Sequence, residues 1–578
     1  MIVRYKEDVR TQKNKKRRTI MKKLLSIILC LSLLLMVAAP ASAAAFTPAR
    51  VGSKIPIVFI AGDGEPIYDE NDQQILKISE NGILGMFDKS KDENGDETAD
   101  NNELYMSVAN VLMPFLVDGL LKDNWQPYFD HLEKEIGDLF AGSRLDNDGN
   151  APAGTGISSA RRATVAYDRA HNKMGSKGYY DMYDYQLWYD WRLDPMENAR
   201  QLKAYVDDVK AATGADKVAL ASACLGGNVV MAYLKQFGTD DLAGVGMLAP
   251  LAKGSEFLSQ MISGRFRVDM DGLNRILTDT AAIDNFNMPA FASATIDLLA
   301  KSGLYGRLSD SVKKTIYAKV IEGTTSALAL STIFTMPCYW SCVAEEDYDT
   351  AMQYVFGDAG SEKRTQYAGL IEKIETYHNE VALHADDLMQ QVDDSAANLA
   401  ILCKYGFQMV PLCEDSALVS DQYVSVKRAS FGATTSTIFD TLPDDYVAAQ
   451  TAAGLGKYLS PDKQVDASTA PYRDYTWFTK NATHTLRTDA ELRIMYTVIT
   501  ADHQLTVDDF DLTQFMVYDH TNKTTAVMTE DNCHTEHWTE DEMKQPSTDK
   551  KAAIFTGLLS FFKWLVEMFK LIRAKIGK

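Results

Sequence analysis

The stretch Val218-Ala219-Leu220-Ala221-Ser222-Ala223-Cys224-Leu225-Gly226-Gly227-Asn228 constrains the fold more than any other part of the chain. Its apolar first half reads as a buried strand, and the pattern from Asn228 to Phe237 reads as a helix. Upstream, Met196 to Ala212 has helical spacing that Gly214 stops. Residues 196–237 therefore form a helix–strand–turn–helix unit of the kind that builds α/β layers.

Further pieces fit one mostly parallel sheet. Ile55-Pro56-Ile57-Val58-Phe59-Ile60 reads as a buried strand opening into Ala61-Gly62-Asp63-Gly64. Gly244 to Ala249 reads as another strand, and Leu399 to Tyr405 as the next candidate. The intervening residues carry helical patterns and few strand signals, which predicts a helical cap inserted into the sheet. The expected organisation is a core over 46–250 and 396–490, a cap over 251–395, a small β-rich appendage over 491–550 and an amphipathic helix over 551–578. The appendage rests on alternating Val, Tyr, Phe and Thr in 491–530.

The first 45 residues read as an export leader: basic residues, an apolar run from Leu24 to Ala39, then Ala41-Ser42-Ala43. Met21 is a more natural start for it than Met1, and Cys30 is filler within the run. The expected destination is extracellular or at the cell surface. Ten of the 59 basic and two of the 79 acidic residues precede Ala43, which leaves 49 against 77, a net −28. Such acidity excludes nucleic acid as a partner. Outside the leader stand Cys224, Cys338, Cys342, Cys403, Cys413 and Cys533. Cys338/Cys342 and Cys403/Cys413 are close enough in sequence to pair, although connectivity stays open.

Cys224 carries the chemistry. A strand-to-helix elbow needs small residues two before and two after its nucleophile, and Ser222 and Gly226 stand there. Ser222 as nucleophile would instead have Leu220 and Cys224 at those positions. A thiol at a helix start lies among aligned amides that favour the thiolate. The order Cys224, Asp462, His484 is the nucleophile–acid–base order of the α/β-hydrolase fold, with Asp421 and Asp466 as rival acids in the same late region.

Tyr189-Asp190-Trp191-Arg192-Leu193, about 30 residues before the elbow, resembles the Tyr-Asp-Trp-Arg-Leu segment of the lecithin:cholesterol acyltransferase and lysosomal phospholipase family. Tyr405-Gly406 is similar to that family's Tyr-Gly segment before its acid loop, and Pro461-Asp462-Lys463-Gln464-Val465 to its Gly-Asp-Gly-Thr-Val motif. His484 matches the closing histidine. The resemblance spans about residues 55–490 and implies an oxyanion amide after the first strand. The candidate oxyanion donors are thus the amides of Asp63 and Leu225, and the candidate substrate contacts are Gly62, Gly64 and Trp191.

The expected activity is hydrolysis or transfer of an acyl group from a hydrophobic or lipid ester through an S-acyl intermediate, without a cofactor. A non-catalytic binding protein of the same fold and a thiol-dependent amidase or peptidase are the alternatives. No metal site is expected. Asp92-x-Asn94-x-Asp96 with Glu103, and Asp146 to Asn150, read as solvated acidic loops rather than calcium loops. Cys533-His534-x-Glu536-His537 lacks well-spaced zinc ligands. The tail places Phe555, Leu558, Leu559, Phe562, Leu565, Met568 and Phe569 along one helical side, suited to a membrane interface or to a protein face.

Overall fold

The computed structural model describes residues 55–62, 66–76, 114–157, 185–265, 267, 269 and 318–533, save a few isolated positions. The leader, Asp63 and Gly64, the 88–103 stretch, residues 270–317 within the expected cap, His534 to His537 and the tail helix lie outside the described residues.

Eight strands form the central sheet: β1 (Ile57–Ile60), β2 (Tyr185–Leu187), β3 (Val218–Ala223), β4 (Leu242–Leu248), β5 (Asn398–Tyr405), β6 (Thr476–Lys480), β7 (Phe515–Asp519) and β8 (Thr524–Val527). Their spatial order is β8-β7-β6-β5-β4-β3-β1-β2. All neighbours run parallel except the β7–β8 hairpin. The protein is thus an α/β protein. β1, β3, β4, β5 and β6 are buried along their whole length, as expected of parallel strands covered on both faces.

The covering helices follow from local signals. α1 (Pro195–Thr213) is capped by Asp194, whose carboxylate accepts from the Met196 amide at 2.9 Å, and it ends at Gly214 in the left-handed conformation. α2 (Gly226–Phe237) follows β3 directly and packs against α1. α3 (Glu256–Ser263) is capped by Ser255. α4 (Glu345–Phe356), α5 (Ala368–Glu380) and α6 (Ala385–Asp393) lie within the described part of the expected cap. However, α6 packs on α2 and β5 and leads straight into β5, so it belongs to the core layer.

The expected β-rich appendage over 491–550 is corrected. Asp489 to Ile499 is a helix, α7, with a reciprocal capping box between Thr488 and Glu491, and β7 and β8 extend the main sheet. α7 covers the opposite face from α2, over Ala219, Ala221 and Ala223 of β3. It comes so close that a Cβ on Gly244 of β4 would sit 2.4 Å from the Ile499 carbonyl oxygen. Small residues on β3 and β4 are what let this helix in.

None of the six described cysteines is in a disulfide, so neither suggested pairing forms. The Asp146 loop holds its own amides, with Asp146 accepting from Asp148 and Asn150, while the Lys373 ammonium of α5 donates to Asn150 Oδ1 at 2.6 Å. A lysine therefore meets the acidic loop. No metal-binding cluster exists among the described residues, and no helix among them is long and apolar enough to cross a membrane.

Burial pushes the Asp194 carboxyl up to about 6, against the opposing Met196 hydrogen bond. A raised folded pKa means that the native state holds this proton more tightly. The associated stability is full below the ordinary carboxyl pKa and is lost as pH rises through about 6. Asp194→Asn keeps the capping acceptor without the charge. It is expected to raise stability at pH 7–8 by roughly 1–2 kcal/mol and to leave stability near pH 4 unchanged, read as thermal midpoints across pH.

Candidate active site

The site sits at the C-terminal ends of β1, β3, β5 and β6. Cys224 follows the last residue of β3 with φ +54°, a left-handed conformation that costs a non-glycine residue energy and needs the surroundings to hold it. The Cys224 amide donates to the Leu248 carbonyl at 3.1 Å, and the Cys224 carbonyl accepts from Gly227 at 3.0 Å. Gly226 admits the chain from the other side, since a Cβ there would lie 2.2 Å from the Ile60 carbonyl oxygen. Ser222 is fully buried and donates to the Gly246 carbonyl at 3.1 Å, which removes it as a nucleophile. Cys224 is half-buried, whereas the other five described thiols are buried. Burial and nearby carboxylates push the Cys403 and Cys413 thiols well above the ordinary range.

His484 lies four residues beyond β6. Its backbone amide donates to the Asp421 carbonyl at 2.9 Å, and its Nδ1 lies 2.7 Å from Asp421 Oδ2. A carboxylate only accepts, so the ring donates from Nδ1 and keeps Nε2 as the acceptor. Nε2 is buried and has no hydrogen-bond partner. Tyr423 stacks on the ring at 5.2 Å between centroids. Together with Gly62, Leu225, Tyr339, Arg487 and several leucines, Cys224, Tyr423 and His484 line one cavity of about 70 Å³.

The partner of the histidine is therefore Asp421, the first of the two rival acids, and the assignment of Asp462 is corrected. Asp462 binds Lys480 at 2.6 Å in a buried pair. Asp466 accepts from Tyr446 and from the Ser468 amide. Asp421 is fixed by its own turn, with Oδ1 accepting from the Tyr423 and Val424 amides at 3.0 Å each. α3 braces that turn from beneath. Glu256 accepts from the Ser425 amide and hydroxyl and from Arg428, and Ser255 donates to the Tyr423 carbonyl at 2.6 Å.

Gly62, a candidate substrate contact, lies against Cys224, and a Cβ on it would lie 2.8 Å from Cys224 Cβ. Leu225 lines the cavity at the start of α2. The other proposed oxyanion donor, Asp63, and the proposed contact Gly64 lie outside the described residues.

Trp191 is corrected. It is 2% exposed and packs edge-on behind Tyr339, at 5.8 Å between centroids. Tyr339, which the sequence did not single out, is the aromatic that reaches the cavity, carried by Pro337–Trp340. That segment is tied to α2 through Asn228, which donates to Ser341 Oγ at 2.7 Å.

The Tyr-Asp-Trp-Arg string acts as scaffolding. The Tyr189 hydroxyl donates to the Ala61 carbonyl at 2.5 Å, which fixes the exit of β1 beside Cys224. Arg192 is fully buried and grips Asp190 through two parallel bonds, Nε–Oδ1 at 2.9 Å and Nη2–Oδ2 at 2.6 Å. Such planar forks fix orientation, and lysine cannot reproduce them.

No family model and no curated protein matches the chain. Among solved structures, that of the Tle4-Tli4 complex is similar at 11% identity over 88% of this chain and 98% of that one, with a TM-score of 0.26. A likeness that slight carries no argument about the site.

Proposed function

We propose that this chain is an α/β-hydrolase that cleaves acyl esters by nucleophilic catalysis, with Cys224 as nucleophile, His484 as base and Asp421 as the acid that orients it. One observation carries the reading: His484, held by Asp421 at Nδ1 and without a partner at Nε2, lines the same cavity as the strained Cys224. The order of the three along the sheet edge matches the arrangement such enzymes use on this fold.

In this reading the Cys224 thiol gives its proton to His484 Nε2, and the sulfur attacks the ester carbonyl carbon. The oxyanion is met by the Leu225 amide at the start of α2, where the helix dipole favours negative charge. The carbon–oxygen bond breaks, the alkoxide takes the proton from His484, and an S-acyl enzyme remains. His484 then deprotonates water, or an acceptor alcohol, whose oxygen attacks the thioester carbon; the carbon–sulfur bond breaks, the acid or new ester leaves, and the Cys224 sulfur takes the proton back from His484.

The apolar lining, with Leu225, Leu248, Leu251, Leu258 and Tyr339, supports a hydrophobic acyl ester as substrate. The resemblance to the lecithin:cholesterol acyltransferase and lysosomal phospholipase family supports a lipid ester and is consistent with an exported protein. Its acid motif aligns equally well with Ser420-Asp421-Gln422-Tyr423-Val424.

The test uses p-nitrophenyl acetate and butyrate. Turnover that iodoacetamide abolishes, with an acyl mass trapped on Cys224 after acid quench, is the expected result. Turnover indifferent to alkylation would sink the reading, and cleavage of anilides but not esters would replace it with a thiol amidase. No turnover of either would leave a non-catalytic protein of the same fold.

A further inference from the structure

Resting on that reading of the site, we infer that Lys404 is a positioning residue, a buried clamp that holds the His484 turn so that the imidazole stays on the cavity. Lys404 stands on β5, one residue before its end, with 1% of its surface exposed. A lysine in a sheet interior is costly unless its ammonium is fully engaged. Here Nζ donates to the main-chain carbonyl of His484 at 3.1 Å and to that of Leu486. Both acceptors lie in the turn between β6 and α7, and the side chain reaches them from the neighbouring strand, where Lys404 is in register with Thr479 of β6.

The pattern around His484 gives this contact its meaning. The residue has four polar atoms. Its amide and Nδ1 are held by Asp421, and its carbonyl by Lys404. Nε2 alone is left without a partner. The histidine is therefore gripped from two sides, by the acid loop after β5 and by a side chain of β5 itself. Rotation of the turn would break a buried bond at either grip. Burial pushes the Lys404 ammonium below the ordinary lysine range, while Glu491 and Asp421 pull it back up. Glu491 caps α7 directly below the turn, through the Thr488 amide and hydroxyl.

The test compares the full chain with Lys404→Met and with His484→Ala, using p-nitrophenyl butyrate and the alkylation rate of Cys224 by iodoacetamide near neutral pH, read by mass spectrometry. Met matches the stem of Lys404 and lacks the donors. The expected result for Lys404→Met is a kcat about 100-fold lower with KM within about threefold. Its Cys224 alkylation should slow towards the His484→Ala rate, a change that general destabilisation would not produce in a folded sample. A folded Lys404→Met with wild-type kcat and alkylation overturns the clamp.

If that variant does not fold, Lys404→Gln decides on the same readouts, since it keeps the site polar but its shorter stem cannot carry a donor to both carbonyls. A tenfold or larger fall in kcat at unchanged KM supports the clamp. A kcat within threefold of wild type overturns it, as does failure of both variants to fold, which would make Lys404 purely structural. Should wild type show no thiol-dependent turnover and alkylate at the same rate as His484→Ala, the nucleophile–base reading itself fails and the clamp with it. If those controls hold and only the Lys404 variants behave as wild type, the clamp alone is lost.

Discussion

Asp421→Asn is expected to lower kcat for a short-chain ester by about 10⁴-fold while leaving the fold intact. The amide can donate to Nδ1, so it favours the tautomer with the proton on Nε2. That nitrogen could then no longer accept the thiol proton. KM should change little, because Asp421 is fully buried beneath the histidine. Asp462→Asn gives the opposite pattern. It leaves the Lys480 ammonium, 5% exposed, without its counter-charge. An uncompensated buried charge costs about 3–5 kcal/mol, so the thermal midpoint should fall sharply while kcat stays within about threefold of wild type. Measuring kcat and midpoint for both variants separates the two carboxylates. The same loss of kcat in both, or in Asp462→Asn alone, would return the acid to its sequence-based position.

Gly62→Ala is the second large effect. The added methyl would sit 2.8 Å from Cys224 Cβ and 3.2 Å from its sulfur. Neither neighbour can yield, because Cys224 is fixed in the elbow and the β1 exit is held by Tyr189. The loop after β1 must therefore move off Cys224, and any oxyanion donor it carries moves with it. A lost donor of that kind lowers kcat by about 10²–10³-fold. Far-UV circular dichroism should be unchanged, and Cys224 should still be alkylated, since the thiol and His484 stay in place. Wild-type turnover in Gly62→Ala would mean that no oxyanion donor lies on this side.

The elbow, the buried strands and His484 were legible because each is written in local chemistry: a run of small and β-branched residues, a glycine pair, an imidazole just beyond a strand. The acid was not. Asp421-Gln422-Tyr423-Val424 and Asp462-Lys463-Gln464-Val465 share the same Asp-x-x-Val spacing. Both put the following residue in the left-handed region, Gln422 at φ +89° and Lys463 at φ +57°, and both fold the carboxylate onto an amide two residues on. Local sequence cannot separate twins of this kind, and only their distance from His484 does.

The missed helix α7 has a different cause. Its Val, Tyr and Thr residues favour strands as readily as helices, yet Thr488 and Glu491 spell a capping box that marks its start. Trp191 was read as a contact because it is a large aromatic near the elbow. Its burial behind Tyr339 depends on a segment almost 150 residues further on.

The four strand ends that frame the cavity lie far apart along the chain, from Gly62 to His484. Contacts at such separation form late, after loop closure has been offset by burial elsewhere. A refolding chain is therefore expected to join β3 and β4, which are close in sequence, before β6 brings His484 up to Cys224. In the proposed reading, enhanced alkylation of Cys224 is then expected only once β6 has docked, the sulfur reacting before that as an ordinary thiol.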